Sequence, residues 1–250
     1  MTDVVIIGGG EAGLGIATRL SRQFGPSVVV VERELSAPGC DAASRAGIGV
    51  RLGAQVVSVQ SSSDGSLYVN TVGVDGPDRV AARAVVMATG CRERTMASRL
   101  IPGGRLPGVL TASALRRSKS VPGPTTVVLG ADDEAFAALR VLRLAGGRAR
   151  TVVTPWHRHQ AKAWSYWVAR LLHLFVLRPN AYVTRVIGEQ RLTGVELTYR
   201  DGRIEEVACD TLLLTGDWVP EYELAMRAGT TESELPHMAW GGRSVPRICV

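Results

Sequence analysis

Four apolar strand formers, Val4-Val5-Ile6-Ile7, run directly into three glycines, and this junction restricts the fold more than any other stretch. Gly8, Gly10 and Gly13 have G-x-G-x-x-G spacing, and the residues that follow, Leu14-Gly15-Ile16-Ala17, read as helix. A strand, a glycine turn and a helix in that order form the phosphate-cradling start of a dinucleotide-binding βαβ unit. Gly8 permits the tight turn, Gly10 lets backbone approach a pyrophosphate, and Gly13 lets helix and strand pack closely. Glu11 and Ala12 lie within this glycine run, and the helix N-terminus would face the phosphates with unpaired N–H groups and a favourable dipole. The second strand, Ser27–Val31, ends at Glu32, nineteen residues beyond Gly13, with Arg33 next to it. A carboxylate at that distance is placed to accept ribose hydroxyls.

With 250 residues the chain holds one large or two modest α/β domains. No apolar run reaches membrane-spanning length, so no membrane span is expected. The N-terminus enters a strand without a basic or signal-like segment, and the expected location is cytoplasmic. A net charge of +6 suits an acidic ligand or partner surface. Cys40, Cys91, Cys209 and Cys249 include no close pair, which excludes a local C-x-x-C redox or zinc element. The histidines are not spaced as a zinc motif, and no metal site is expected.

After Glu32 come a polar turn and a short helical or irregular crossover over 41–47. Strands are predicted over 54–60 and 67–72, and a return strand runs from Val80 to Ala88. That return ends in Ala88-Thr89-Gly90, where Thr89 offers a hydroxyl and Gly90 a close backbone approach at the carboxyl edge of the sheet. Seven basic residues lie between Arg92 and Lys119 against one acid, Glu93. They are either solvated surface or contacts for phosphate, acidic substrate or a partner. Aromatic residues do not interleave with them, which argues against nucleic acid.

This order of motifs resembles the flavin domain of the two-dinucleotide-binding flavoproteins, the pyridine nucleotide–disulfide oxidoreductase superfamily. The runs Ala88-Thr89-Gly90-Cys91-Arg92-Glu93-Arg94, Ile101-Pro102-Gly103 and Leu106-Pro107-Gly108-Val109-Leu110-Thr111-Ala112 resemble a branch without the redox disulfide. That branch includes NAD(FAD)-dependent dehydrogenases and amine or amino-acid dehydrogenase subunits. The resemblance implies an α/β fold of two nested Rossmann-like βαβ domains with antiparallel β-meanders. Residues 1–111 form the first part of an FAD-binding domain, 112–232 an NAD(P)-binding-like domain, and 233–250 a return segment to the FAD domain. It implies FAD as cofactor, with Gly8, Gly10, Glu11, Ala12, Gly13, Glu32, Arg33, Thr89 and Gly90 as its contacts. Arg92 and Arg94 are candidates for contacting substrate or stabilising reduced flavin. No residue qualifies as a general base.

A second βαβ unit starts at Thr125–Gly130 with a helix over 134–144, but its fingerprint is degenerate. Asp132 replaces the second glycine and Ala135 the third, so bulk and negative charge stand where pyrophosphate would approach. Asp132 and its acidic neighbours fit a self-capping role instead, which makes NAD(P) in this unit doubtful. Trp164, Trp167, Leu171 and Leu174, with Val168 and Phe175, share a helical face. A core-facing helix is expected, with an exposed partner surface as the alternative. Strands over 181–188 and 192–199, a turn at Asp201-Gly202, and strands from Ile204 and Thr211 complete a second meander. Asp217 is not assigned the flavin-contacting role that a Gly-Asp turn has in the resembled family, because its neighbours match the exit strand of the second domain. The terminal strand and its following Gly-Asp turn are expected after Pro246–Val250, where the sequence stops, so the return segment reads as truncated.

Three functions fit this reading. The first is an FAD-dependent oxidoreductase moving hydride between a small organic substrate or NAD(P)H and the flavin. The second is a noncatalytic or partner-dependent flavoprotein subunit, and the third an NAD-dependent dehydrogenase. A partner subunit or homo-oligomer accords with the first two.

Overall fold

The computed structural model describes residues 2–63, 65–117, 123–221 and 223–229. The expected return segment 233–250 lies outside the described residues. Two compact units emerge: one runs to Arg92 and resumes at Pro220, and the other is Glu93–Val219. No helix among the described residues is long and apolar enough to cross a membrane.

The first unit opens with β1 (Thr2–Ile7), α1 (Glu11–Phe24) and β2 (Val28–Val31). Then come α2 (Cys40–Arg45), β3 (Gly49–Arg51), β4 (Ala54–Ser61), β5 (Leu67–Gly73) and β6 (Gly76–Met87). One six-stranded sheet has the order β3-β2-β1-β6-β5-β4. Strands β1, β2, β3 and β6 run parallel, and β4–β5–β6 forms the antiparallel meander. The long strand β6 belongs to both, because its second half pairs with β1 from Ala82 to Met87. Between the crossover and the strand predicted over 54–60, Gly49 pairs with Val29 in β3. A Cβ at Gly49 would press on the Val29 side chain at 3.2 Å, so glycine here serves strand packing. Val4, Ile6, Val28, Val30 and Val86 pack under α1 and α2 on one face, while Val5, Ile7, Val69 and Val85 pack on the other.

The chain leaves this unit along β7 (Cys91–Glu93). The second unit then contributes β8 (Val109–Thr111), α3 (Ala112–Arg117), β9 (Thr126–Leu129), α4 (Asp133–Leu144) and β10 (Ala149–Val153). It continues with α5 (Ala163–His173), β11 (Val176–Arg178), β12 (Ala181–Ile187), β13 (Gly194–Tyr199), β14 (Ile204–Ala208) and β15 (Thr211–Leu214). The chain returns through β16 (Trp218–Pro220) to α6 (Glu223–Arg227). A parallel five-stranded sheet has the order β11-β10-β9-β15-β8, and β12-β13-β14 form an antiparallel sheet. Strands β9, β10 and β15 are thus arranged around α4 as β1, β2 and β6 are around α1. The fold is α/β, with Rossmann-like βαβ elements and mixed sheets.

Helix α5 overturns the expected core-facing orientation. Ser165, Ala169 and His173, one helical stripe at four-residue spacing, are the buried positions. Trp164, Trp167, Val168, Leu171 and Leu174 are exposed. Small residues let the helix approach Phe136 and Phe175, whose rings stack at 6.0 Å. Periodicity identified the large apolar face, but not that the neighbouring elements would accept the small-residue stripe instead.

His173 is held on both ring nitrogens. Nδ1 accepts the Ala149 N–H at 3.1 Å, so Nε2–H donates to the Leu139 carbonyl at 2.9 Å. Only the neutral ring satisfies both bonds, and burial pushes the His173 pKa below its ordinary value. The unfolded chain therefore takes up a proton near pH 6.5 that the native state resists. Stability contributed by neutral His173 is complete above that pH and declines as pH falls below it, levelling off beneath the depressed native value. Thermal melts from pH 8 to pH 5 are expected to show this acid-side decline, and His173→Gln should flatten it.

Candidate functional site

In the first unit the carboxyl ends of β1, β2 and β6 converge where strand order reverses around β1, the usual ligand position in an open α/β sheet. The glycine turn follows β1. Gly8 has φ +109°, and a Cβ there would overlap the Ala88 carbonyl. A Cβ at Gly13 would overlap the Gly8 carbonyl. These two glycines therefore allow turn, helix and return strand to touch. Gly10 differs: its φ is −75°, and a Cβ there would project into open space. It is the N-cap of α1 and offers no side-chain cap. The helix start is left with unsatisfied N–H groups facing outward, as a phosphate ligand requires.

Glu32 braces this turn. Its Oε2 accepts the Gly9 N–H at 2.6 Å and its Oε1 accepts the Glu34 N–H at 2.9 Å. Each oxygen keeps a further lone pair for a donor such as a sugar hydroxyl. Beneath the turn, Cys40 Sγ lies 3.8 Å from the Gly9 carbonyl oxygen. Burial, reinforced by Glu32, raises the Cys40 thiol pKa, so it packs as a neutral group. Burial also pushes the Cys209 thiol up to about 12. Among the described residues no disulfide forms.

A cleft of about 480 Å³ opens over these strand ends, within the range of roughly 300–1,000 Å³ usual for small-molecule sites. Gly8, Gly10, Glu32, Arg33, Thr89 and Gly90 all line it. Glu11 and Ala12 are exposed in the first turn of α1 without lining the cleft, and Gly13 is buried behind it. Other lining residues had no local signal in sequence: Gln55 and Val56 from β4, and Glu221, Leu224 and Arg227 from the returning chain. The return is fastened by Thr89, whose hydroxyl donates to the Glu221 carbonyl at 2.5 Å, and by Glu221 N–H donating to the Gly90 carbonyl at 3.0 Å.

Arg92 pairs at 2.9 Å with both Glu221 and Glu223. The hydrogen bond to Glu223 and the charge of Glu221 raise its pKa further. The guanidinium thus offsets two carboxylates at the cleft. Arg94 belongs to the second unit, where its N–H donates to the Asp217 carbonyl at 3.0 Å and its Nε lies 3.5 Å from Oδ1. Arg99 donates to the carbonyls of Thr215, Gly216 and Arg94 at 3.1, 2.8 and 3.0 Å. Asp217 therefore takes part in a charged turn within the second unit.

The corresponding turn after β9 is closed upon itself. Asp132 is the N-cap of α4, and its Oδ1 accepts the Ala135 N–H at 2.8 Å. Burial raises the Asp132 pKa, partly opposed by that backbone bond. The side chain occupies the role that a phosphate oxygen would have at an open turn. His159 stacks on Tyr166 at 4.2 Å, and its Nδ1 lies 3.1 Å from the Ala161 carbonyl oxygen.

Residues 3–46 match a family model described as FAD dependent oxidoreductase. No curated protein matches the chain. Among solved structures, thioredoxin reductase from T. acidophilum is similar, with 18% identity, a TM-score of 0.75, and coverage of 92% of this chain and 81% of that one. Thioredoxin reductase from Lactococcus lactis has 17% identity and a TM-score of 0.76, over 94% of this chain and 83% of the other. L-Proline dehydrogenase from P. horikoshii has 20% identity and a TM-score of 0.60, over 92% and 45%. These likenesses establish a shared fold.

The two turns respond differently to substitution. Gly10→Ser supplies an N-cap hydroxyl and should hold or raise the thermal stability of the ligand-free protein, whereas Gly13→Ala should lower it by about 2 kcal/mol or more through the backbone overlap. Calorimetry of the two variants distinguishes an open position from a packed one within the same turn. Asp132→Ala should cost about 1 kcal/mol and Asp132→Ser much less, as measured by urea unfolding.

Proposed function

We propose that this chain is an FAD-dependent oxidoreductase of the pyridine nucleotide–disulfide oxidoreductase superfamily, in the branch without a redox disulfide. The observation carrying this reading is the uncapped start of α1, with Gly10 open to a cleft bounded by Glu32 and Thr89-Gly90. The match of residues 3–46 to an FAD dependent oxidoreductase family supports the cofactor choice. The first unit is assigned FAD and the second, nested between Glu93 and Val219, a dinucleotide-domain fold whose fingerprint turn is self-capped.

The chain's own groups fit an FAD adenosine–pyrophosphate moiety. The α1 N-terminus and the bare Gly10 backbone receive the phosphates, and Glu32 accepts the ribose hydroxyls. Thr89 holds the returning segment against Gly90, and Arg92 partly offsets the charge of Glu221 and Glu223, which would otherwise repel an anionic cofactor more strongly. Bound flavin supplies two-electron chemistry, accepting a hydride equivalent from the substrate. Because Asp132 occupies the second turn, the proposed donor is a small organic substrate rather than NAD(P)H bound there. The same feature favours a second reading, a flavoprotein subunit that exchanges electrons through a partner subunit or a second copy. An NAD-dependent dehydrogenase would instead hold NAD at the α1 turn.

Anaerobic reduction of the purified protein followed by visible absorption separates these readings. Flavin bleaching by amines or amino acids, and not by NADH or NADPH, is the expected result. A folded chain that stays colourless after FAD reconstitution defeats the flavin assignment, and NADH retention by that chain favours the dehydrogenase. Glu32→Gln places an amide N–H against one of two backbone N–H groups. It should weaken FAD binding by about 10-fold or more, measured by flavin fluorescence titration.

A further inference from the structure

The exposed face of α5 remains outside this chemistry. Trp164, Trp167 and Leu171 are 59%, 64% and 77% exposed, and Val168 and Leu174 continue the stripe. Together they present on the order of 600 Å² of apolar surface, at the upper end of what a monomer ordinarily leaves open. Trp164 and Trp167 have no hydrogen-bond acceptor for their indole N–H groups among the described residues. The opposite side of the helix is fully engaged by Ser165, Ala169 and His173, so the exposed stripe is not an alternative core.

The charge around this face is predominantly positive. No Asp or Glu occurs from Ala135 to Gly188, a span containing nine Arg and Lys residues. His157, Arg158 and Lys162 are exposed immediately before the helix. Within the helix, Arg170 donates to the Phe175 carbonyl and lies over its ring. From α4, Asp133 reaches the start of α5, where its carboxylate accepts the Lys162 backbone N–H at 3.1 Å.

A second copy seated symmetrically on this face would bring two sets of Arg158 and Lys162 to one rim with only the Asp133 carboxylate of each copy to offset them, a net repulsive arrangement. An anionic bilayer surface supplies diffuse negative charge for these cations and an interfacial layer suited to indole rings. We propose that the Trp164–Leu174 face of α5 docks this protein peripherally on an anionic lipid surface, with Arg158 and Lys162 at the headgroups.

Co-sedimentation of the full chain with vesicles tests this. Binding is expected with phosphatidylcholine vesicles containing phosphatidylglycerol, much less with phosphatidylcholine alone, and less as salt is raised. Trp164→Ser combined with Trp167→Ser should weaken binding at least about 10-fold. Lys162→Gln should weaken it by about 5-fold. All three positions are exposed, so circular dichroism melts should match the parent protein and separate lost docking from lost folding. Equal binding to neutral vesicles, or binding indifferent to the tryptophan changes, overturns the proposal. So does a dimer in light scattering that the tryptophan changes convert to monomer, which assigns the face to a second copy. A monomer that ignores both vesicle types also overturns it and assigns the face to an acidic protein partner.

Discussion

The candidate site depends on backbone touching backbone at the first turn. Gly8 lies against the Ala88 carbonyl, and Gly13 lies against the carbonyl of Gly8. A side chain at either position would push α1 away from the strand ends. With neither present, β1, β6 and the helix start converge without intervening atoms, and the uncapped N–H groups open beside Thr89 and Gly90. Glu32 then holds the loop through Gly9 and Glu34. The cradle results from two close approaches and one carboxylate, not from many weak surface contacts.

The second unit solves the same geometrical problem without a ligand. Gly130 still permits close approach to Thr215, the counterpart of the Gly8–Ala88 contact. Asp132, however, satisfies the α4 start internally. An intramolecular carboxylate is always present and already positioned, so its bond is formed before any pyrophosphate arrives. Adding a cofactor phosphate there would displace the cap and place negative charge near Asp132, Asp133 and Glu134. Similar strand topology can therefore accompany opposite ligand requirements.

Much of the first unit was legible because its signals are local. The Gly8–Gly13 spacing specifies the turn, four consecutive valines specify β2, and Glu32 lies at that strand's end. The meander was legible through its turns and alternating residues. The return of Glu221, Leu224 and Arg227 to the cleft was not, since more than a hundred residues intervene and no local pattern encodes that proximity. The orientation of α5 was misread for a related reason. Its large apolar residues have helical spacing, but Ser165, Ala169 and His173 fit the space beside Phe136 and Phe175. Small side chains and two backbone hydrogen bonds decided that contact.

The sequence by itself determined an α/β chain with one open glycine turn and one acid-substituted turn, because glycine's missing Cβ and aspartate's capping carboxylate act over a few residues. Only the tertiary structure decided that Gly10 faces empty space, that Arg92 is occupied by Glu221 and Glu223, and that the tryptophan stripe of α5 points outward. Those outcomes depend on excluded volume and charge between residues distant in the chain, and they exist only once the strands have brought those residues together.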